Sequence, residues 1–231
     1  MARGVFAHTL PRAEEYAELL ATEATVRGLI GPREVPRLWE RHLVNCAVVA
    51  DLMPEGSSVC DIGSGAGLPG IVLAIRRPDL QISLVEPLLR RTTFLDLVVS
   101  TMGLHNVRVR RARAEDLHDE SGNDRPGNDG PDNNRPDNNG PDNNRPDNDR
   151  GGYDVVTSRA VAPMERLARW SLPLVRDGGL FLAMKGASAA DELERTSSHL
   201  ARLGGRDARV VTLGEPGLDP PVRVISVRKA Y

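Results

Sequence analysis

Sulfur and aromatic rings are scarce in this chain. Two cysteines, Cys46 and Cys60, occur in 231 residues. They are too few for a disulfide framework or a zinc site, and both sit inside apolar patterns, as buried reduced thiols do. Aromatic residues make up 3% of the chain, which argues against a nucleic-acid surface built on many stacking rings. No apolar run reaches the roughly 20 residues of a membrane-spanning helix. The N-terminus lacks the apolar core of a secretory signal. The expectation is a cytoplasmic protein without a metal site. An excess of one charge is also missing, since the formal net charge is -2. The balance is uneven, however. Residues 119–150 hold nine acids and four arginines, so that stretch carries -5 and the rest of the chain +3.

The length suits one domain with a sizeable core. Ala13 to Leu29 reads as a helix, with Tyr16, Leu19, Leu20, Glu23 and Val26 at helical spacing, four of the five apolar. Gly31-Pro32 marks a turn. A second helix is expected over Val35 to Met53. Its stripe is Val35, Leu38, Trp39, His42, Leu43, Cys46, Val49, Ala50 and Met53, with Arg37, Arg41 and Asn45 off it. The N-terminal helices thus cover about 13–53. From Ser58 the pattern changes. SVCDI, QISLVE, VRVRRA, YDVVTSRA and LFLAMKG read as strands, with helical spacing between most of them. Such a series predicts an α/β domain, a mostly parallel sheet with helices on both faces, over 57–231. The last two strands, ARVVTLG and VRVISVRK, are joined only by EPGLDPP, which suits an antiparallel pair.

One segment fits none of this. Residues 125–149 are five near-copies of a five-residue unit, RPGND, GPDNN, RPDNN, GPDNN and RPDND. They contain no apolar residue other than proline, so they cannot bury enough surface to offset the entropy of ordering them. The segment is read as a disordered insertion, about 119–151, within the single domain.

The stretch SVCDIGSGAGLPGIVLAI runs from a strand through four glycines into a helix. It contains Gly63-x-Gly65-x-Gly67 and, overlapping, Gly65-x-Gly67-x-x-Gly70, a literal dinucleotide-type pattern. Glu86 ends the next strand, about twenty residues on, where an acid meets ribose hydroxyls in several cofactor classes. Asp61 helps to choose between them. Beside a pyrophosphate its carboxylate would be repelled. S-adenosylmethionine (SAM) instead brings a sulfonium and an amino group, both cationic, which a carboxylate attracts. Glu115 follows the third strand, where a polar group can meet an adenine ring. A tight strand-to-helix turn without a ligand would explain the glycines but not the acids at successive strand tips.

The segments RLWERHLVNC, DIGSGAGLPGI, LVEPLLRRTTFL, RARAEDL, SRAVAP and LARWSLPLVRDGGLFLAMKG together resemble the RsmG family, also called GidB. The resemblance extends from Pro11 to Tyr231 apart from the repeat. It implies the Rossmann-like fold of class I SAM-dependent methyltransferases and SAM as cofactor. It also implies transfer to N7 of a guanosine in 16S ribosomal RNA, with the small ribosomal subunit as partner. The family's SAM-contacting positions fall here on Gly63, Leu68, Ala114, Glu115 and Arg159. A monomer is the expected assembly state.

The residues suit that chemistry. Guanine N7 has an in-plane lone pair and no proton, so no general base is required and positioning supplies most of the acceleration. The chain has no Asn/Asp-Pro-Pro-aromatic motif after its fourth strand, and neither cysteine falls at a strand tip. What stands at the tips of the fourth and fifth strands is cationic, Arg159 and Lys185. Arg159 suits the SAM carboxylate or an RNA phosphate, and Lys185 suits guanine O6, although single surface cations are also common. Arg108, Arg110, Arg111 and Arg113, and the stripe of Arg33, Arg37 and Arg41, offer phosphate contacts. His42 falls on the core stripe and reads as an interior histidine. Two other readings stay open, a small-molecule methyltransferase and a non-catalytic RNA- or nucleotide-binding module on the same fold. Deleting residues 124–150 should leave the thermal unfolding midpoint and SAM affinity nearly unchanged. A cooperative loss of stability on deletion would contradict that reading.

Overall fold

A computed structural model describes residues 2–118, 152–159, 161–214 and 217–231. The expected insertion at 119–151, with its repeat, lies outside them. Seven strands form one sheet in the order β3-β2-β1-β4-β5-β7-β6. They are β1 (Ser58–Ile62), β2 (Gln81–Val85), β3 (Val107–Arg110), β4 (Tyr153–Arg159), β5 (Val175–Lys185), β6 (Gly205–Leu213) and β7 (Val222–Lys229). The first five run parallel, and β7 runs antiparallel to both β5 and β6. The expected mostly parallel sheet with an antiparallel final strand is what the chain forms.

Apolar residues on both faces of the central strands explain why helices cover both. Val59, Ile82, Leu84, Val155 and Leu182 pack into one core. On that side lie α1 (Ala2–Phe6), α2 (Leu10–Leu19), α3 (Val44–Ala47), α4 (Gly70–Arg76) and α5 (Leu89–Met102). Cys60, Ile62, Val156, Phe181 and Ile225 pack into a second core against α6 (Met164–Ser171) and α7 (Ala189–Arg202). The chain leaves β1 toward β2 and β3, then crosses back so that β4 lies on the other side of β1. That reversal opens a crevice beyond the carboxyl ends of β1 and β4, the place where open α/β sheets bind ligands. Ile62 is level with Ser158 in the ladder, so Gly63 and Arg159 leave the sheet side by side.

The N-terminal part differs from the sequence reading. Helix starts at Ala2 rather than Ala13. Phe6 anchors it, buried, with its ring edge-on to Trp39 at 6.1 Å between centroids. One anchoring side chain in so short a stretch produces no periodicity. The helix after α2 widens over Leu20–Ala24, and Val26, expected on the apolar face, is 87% exposed. A wide turn takes more residues than an α-turn and so rotates the face that follows it. The second expected helix is a helical path of changing pitch. A tight turn spans Pro32–Arg37, a wide one Leu38–Leu43, then comes α3, then a tight turn over Val48–Leu52. Pro36 lies in the first of these and lacks an N–H to donate. The stripe still sorts largely as expected. Leu38, Leu43, Cys46, Val49, Ala50 and Met53 are buried, Arg37 and Arg41 exposed.

Several bonds tie the N-terminal part to the α/β core, two of them through Val5 and Tyr16. The Arg76 Nε–H of α4 donates to Val5 O at 3.1 Å, and the fully buried Tyr16 hydroxyl donates to Ala66 O at 2.6 Å. The second reaches directly into the glycine loop. Tyr16→Phe should therefore lower unfolding free energy by about 1–3 kcal/mol in a urea titration, because Ala66 O would be left buried without its donor.

Candidate cofactor site and acceptor cleft

The loop after β1 owes its path to three left-handed residues, Gly63, Gly65 and Gly67, with φ of +70°, +60° and +94°. Side chains rarely adopt these angles. The loop is held at both ends. Gly63 N and Ser64 N donate to Val85 O at 2.8 and 3.2 Å, and Gly67 N donates to Ser64 O at 2.7 Å. Gly70 has a different role. A Cβ there would lie 2.2 Å from Leu84 Cδ2 and 2.8 Å from Asp61 Oδ2, so glycine lets α4 approach the sheet closely.

Asp61 stands in the penultimate position of β1 and is fully buried. Its Oδ2 accepts from Gly70 N at 2.9 Å, which caps the start of α4. Its Oδ1 meets no donor among the described residues. Burial pushes the carboxyl up to about 7, against the opposing pull of the Gly70 N–H. The positive charge of Arg159 also pulls it down. A buried carboxylate oxygen without a donor suits a cationic ligand better than an anionic one.

Glu86, directly after β2, is also buried. It accepts from Gly65 N at 3.1 Å, from Leu88 N at 3.1 Å and from Arg91 Nη1 at 3.2 Å. One acid thus ties the glycine loop to the segment beyond β2. Leu68 is half-buried against the core. Ala114 is buried and Glu115 exposed just past β3, ahead of a helical turn at Asp116–His118. Gly63, Gly65, Gly67, Glu86, Ala114 and Glu115 therefore follow the carboxyl ends of three neighbouring parallel strands.

A cleft of about 1540 Å³ opens on the other side of the crevice, beyond β4 and β5. Arg37, Arg41, Arg159, Lys185, Arg195 and Arg223 line it, together with Glu40, Glu165, Glu192 and Asp219. Two of the expected basic groups, the Arg37/Arg41 stripe and the Arg159/Lys185 pair, thus meet in one place. Val161 joins the cleft to the glycine loop. It lines the cleft, and its Cγ2 lies 2.7 Å from where a Gly63 Cβ would be. Arg108, Arg110 and Arg111 lie elsewhere, on and just after edge strand β3. Three strand spacings, roughly 15 Å, separate β3 from β4. Arg110 acts on the Tyr153 hydroxyl, which is buried beneath the sheet.

Neither strand-tip cation is free of the protein. Arg159 donates through Nη2 to His42 Nδ1 at 2.6 Å and to Arg41 O at 3.2 Å, and through Nη1 to Cys46 Sγ at 3.3 Å. Lys185 pairs with Glu192 Oε2 at 2.9 Å and donates to Ala162 O at 3.1 Å. The sequence reading missed both sets of partners. Glu192 lies one turn into α7, seven residues past Lys185, and nothing in local spacing pairs them. The cysteines are free and buried as expected, and burial pushes both thiols above their ordinary range. Among the described residues no helix is long and apolar enough to cross a membrane, and no cluster of candidate metal ligands occurs.

A family model named GidB, described as rRNA small subunit methyltransferase G, matches residues 9–125 and 142–219. The chain belongs to the GidB family. The stretch between the two matched segments falls inside the repeat. Proteins named ribosomal RNA small subunit methyltransferase G are similar along most of their length. One from Corynebacterium efficiens is 48% identical over 225 residues, covering 97% of this chain and 85% of the relative. One from Thermobifida fusca is 49% identical over 226 residues, covering 98% and 83%. One from Rhodococcus jostii is 50% identical over 228 residues, covering 99% and 88%. Among solved structures, the S-adenosylmethionine-dependent methyltransferase SibL in its apo form matches with a TM-score of 0.57 at 16% identity, covering 87% of this chain and 60% of that one. A SAM-dependent O-methyltransferase from Thermotoga maritima matches with a TM-score of 0.56 at 14% identity, covering 86% and 70%. The GidB chain therefore has the class I methyltransferase fold.

An Asp61 that meets SAM would make its binding sensitive to pH. A carboxyl with a pKa of about 7 takes up a proton as the pH falls through that value, and the neutral acid no longer attracts a cation. Calorimetry without RNA should show SAM affinity about tenfold weaker at pH 6 than at pH 8. Asp61→Asn should bind weakly at both pH values, with most of that slope gone.

Proposed function

We propose that this chain transfers the methyl group of SAM to N7 of a guanosine in 16S ribosomal RNA. The observation that carries the reading is the junction at the β1/β4 crevice. There a glycine loop, beside a buried carboxylate with one oxygen unpartnered among the described residues, abuts a cation-lined cleft, in a member of the GidB family. When bound, SAM supplies an electrophilic methyl on a sulfonium. The chain's own residues bind and orient. Asp61 Oδ1 meets the cationic part of the cofactor, and Glu86 holds the loop through Gly65 N and meets the ribose. Ala114 and Glu115 flank the adenine. Three of the five guanidinium N–H groups of Arg159 are taken by the protein, which leaves Nε–H and one Nη1–H on different edges, and one of these suits a cofactor carboxylate oxygen. Lys185 has two of its three N–H groups engaged, and the third suits guanine O6, which leaves N7 free for the methyl.

Without many exposed rings, RNA recognition falls to phosphate contacts and shape. Arg37 and Arg41 in the cleft, and Arg108, Arg110 and Arg111 on the β3 side, are the groups we assign to phosphates. We place the enzyme in the cytoplasm with the ribosome and read it as a monomer of one domain. Labelled methyl transfer to small ribosomal subunits and naked rRNA, followed by mass mapping of the modified nucleotide, tests the function. Transfer only to a small molecule, or none at all, would overturn it. Within the site the two cations should fail differently. Arg159→Ala should weaken SAM binding roughly ten- to a hundredfold, the worth of a charge-assisted hydrogen bond. Lys185→Ala should spare SAM binding, as measured by calorimetry, and slow single-turnover transfer at saturating SAM.

A further inference from the structure

We propose that His42, backed by Glu34, is the positioning residue that holds Arg159 at the boundary between the cofactor loop and the acceptor cleft. The inference rests on the role assigned to Arg159 above. It starts from hydrogen-bond chemistry. A guanidinium has no lone pair to offer, so wherever it meets a histidine nitrogen the nitrogen must accept. Arg159 Nη2 lies 2.6 Å from His42 Nδ1, and Nδ1 therefore carries no proton. A neutral imidazole then bears its proton on Nε2, and that N–H points at Glu34 Oε2, 2.9 Å away. Each bond fixes the other, and together they set a single tautomer and a single ring orientation. The arrangement spans three elements. Glu34 comes from the Pro32–Arg37 turn, His42 from the wide turn that follows, and Arg159 from the tip of β4.

Protonation would break the chain of bonds. An imidazolium would turn an N–H toward the guanidinium and add a like charge to it. The groups that act on His42 are Glu34 at Nε2, Arg159 at Nδ1 and Arg41 beside it. Arg37 and Arg41 act on Glu34 in turn, and the Cys46 thiol and Asp61 face Arg159. Burial and the Arg159 charge hold the imidazole below the ordinary histidine range, against the pull of Glu34. The side chain is 13% exposed, so water offers Arg159 little replacement for the lost acceptor. The wide turn at Leu38–Leu43 is what the arrangement gains from its irregular pitch, since it carries both His42 and the Arg41 carbonyl that shares Nη2.

The test uses the full chain and small ribosomal subunits. SAM affinity comes from calorimetry and the transfer rate from single turnovers at saturating SAM, where Asp61 is held ionised by the ligand. His42→Leu removes the acceptor and should impair the same quantity as Arg159→Ala, by about tenfold or more. The double variant should be no worse than Arg159→Ala by itself. In His42→Asn the amide oxygen takes the place of Nδ1, and most of the loss should be recovered. Wild-type SAM affinity should fall at acid pH through both Asp61 and His42. The His42 part of that fall should be absent in His42→Asn and move to lower pH in Glu34→Gln, where a neutral acceptor no longer favours the imidazolium. Wild-type behaviour of His42→Leu beside an impaired Arg159→Ala overturns the inference and leaves the function standing. Losses that multiply in the double variant also overturn it. An Arg159→Ala variant at wild-type level overturns it together with the role given to Arg159. If His42→Leu does not fold in thermal melts, an acid fall in SAM affinity unchanged in both remaining variants overturns it.

Discussion

A carboxylate shut away from water with one oxygen satisfied and the other bare is costly to a folded chain. Asp61 is such a group, and much of the surrounding geometry answers to it. Gly70 must be glycine so that its N–H can reach Oδ2 without a Cβ in the way. Arg159, beside it across the crevice, supplies compensating positive charge. Tyr16 closes the site from the N-terminal side through its bond to Ala66 O. The loop between these contacts is then free to take left-handed angles that would otherwise have no purpose. A cation bound beside the bare oxygen would offset that cost, which is how a binding site differs from a structural ion pair.

The sheet was legible because its strands are short apolar runs at even spacing, and because glycines and acids mark their tips. YDVVTSRA and LFLAMKG announce β4 and β5, and the short EPGLDPP link announces the antiparallel turn of β7. The helical extension was only half legible. Periodicity of 3.6 assumes constant pitch, and the path from Pro32 to Leu52 changes pitch three times. Burial survives such changes, so the stripe sorted well, but phase does not, and Val26 turned outward.

The candidate site was legible where a residue stands at its own strand tip and hidden where it is held by a distant partner. Asp61, Gly63, Glu86 and Arg159 are visible from the loop and from strand ends. The bonds of Arg159 to His42 and Cys46 cross more than a hundred residues, and no spacing rule encodes them. His42 illustrates the ambiguity well. It sits on an apolar stripe as an interior histidine would, yet its ring bridges a surface acid and a strand-tip cation. The cleft, too, is of mixed sign, with acids among its arginines, so the modest overall charge of the chain conceals a local arrangement.

The first fifty residues hold the glycine loop through Tyr16 and the tip of β4 through the Arg41 carbonyl and His42. Whatever stabilises the loop and the Arg159 guanidinium also raises the free energy needed to peel that segment from the sheet, since ligation of the native state alone is linked to all openings that destroy the site. Backbone amides in α2 and α3 should therefore exchange with solvent more slowly when the cofactor is present. The extension is in this sense a clasp whose tightness reports on occupancy of a site formed almost wholly by the sheet.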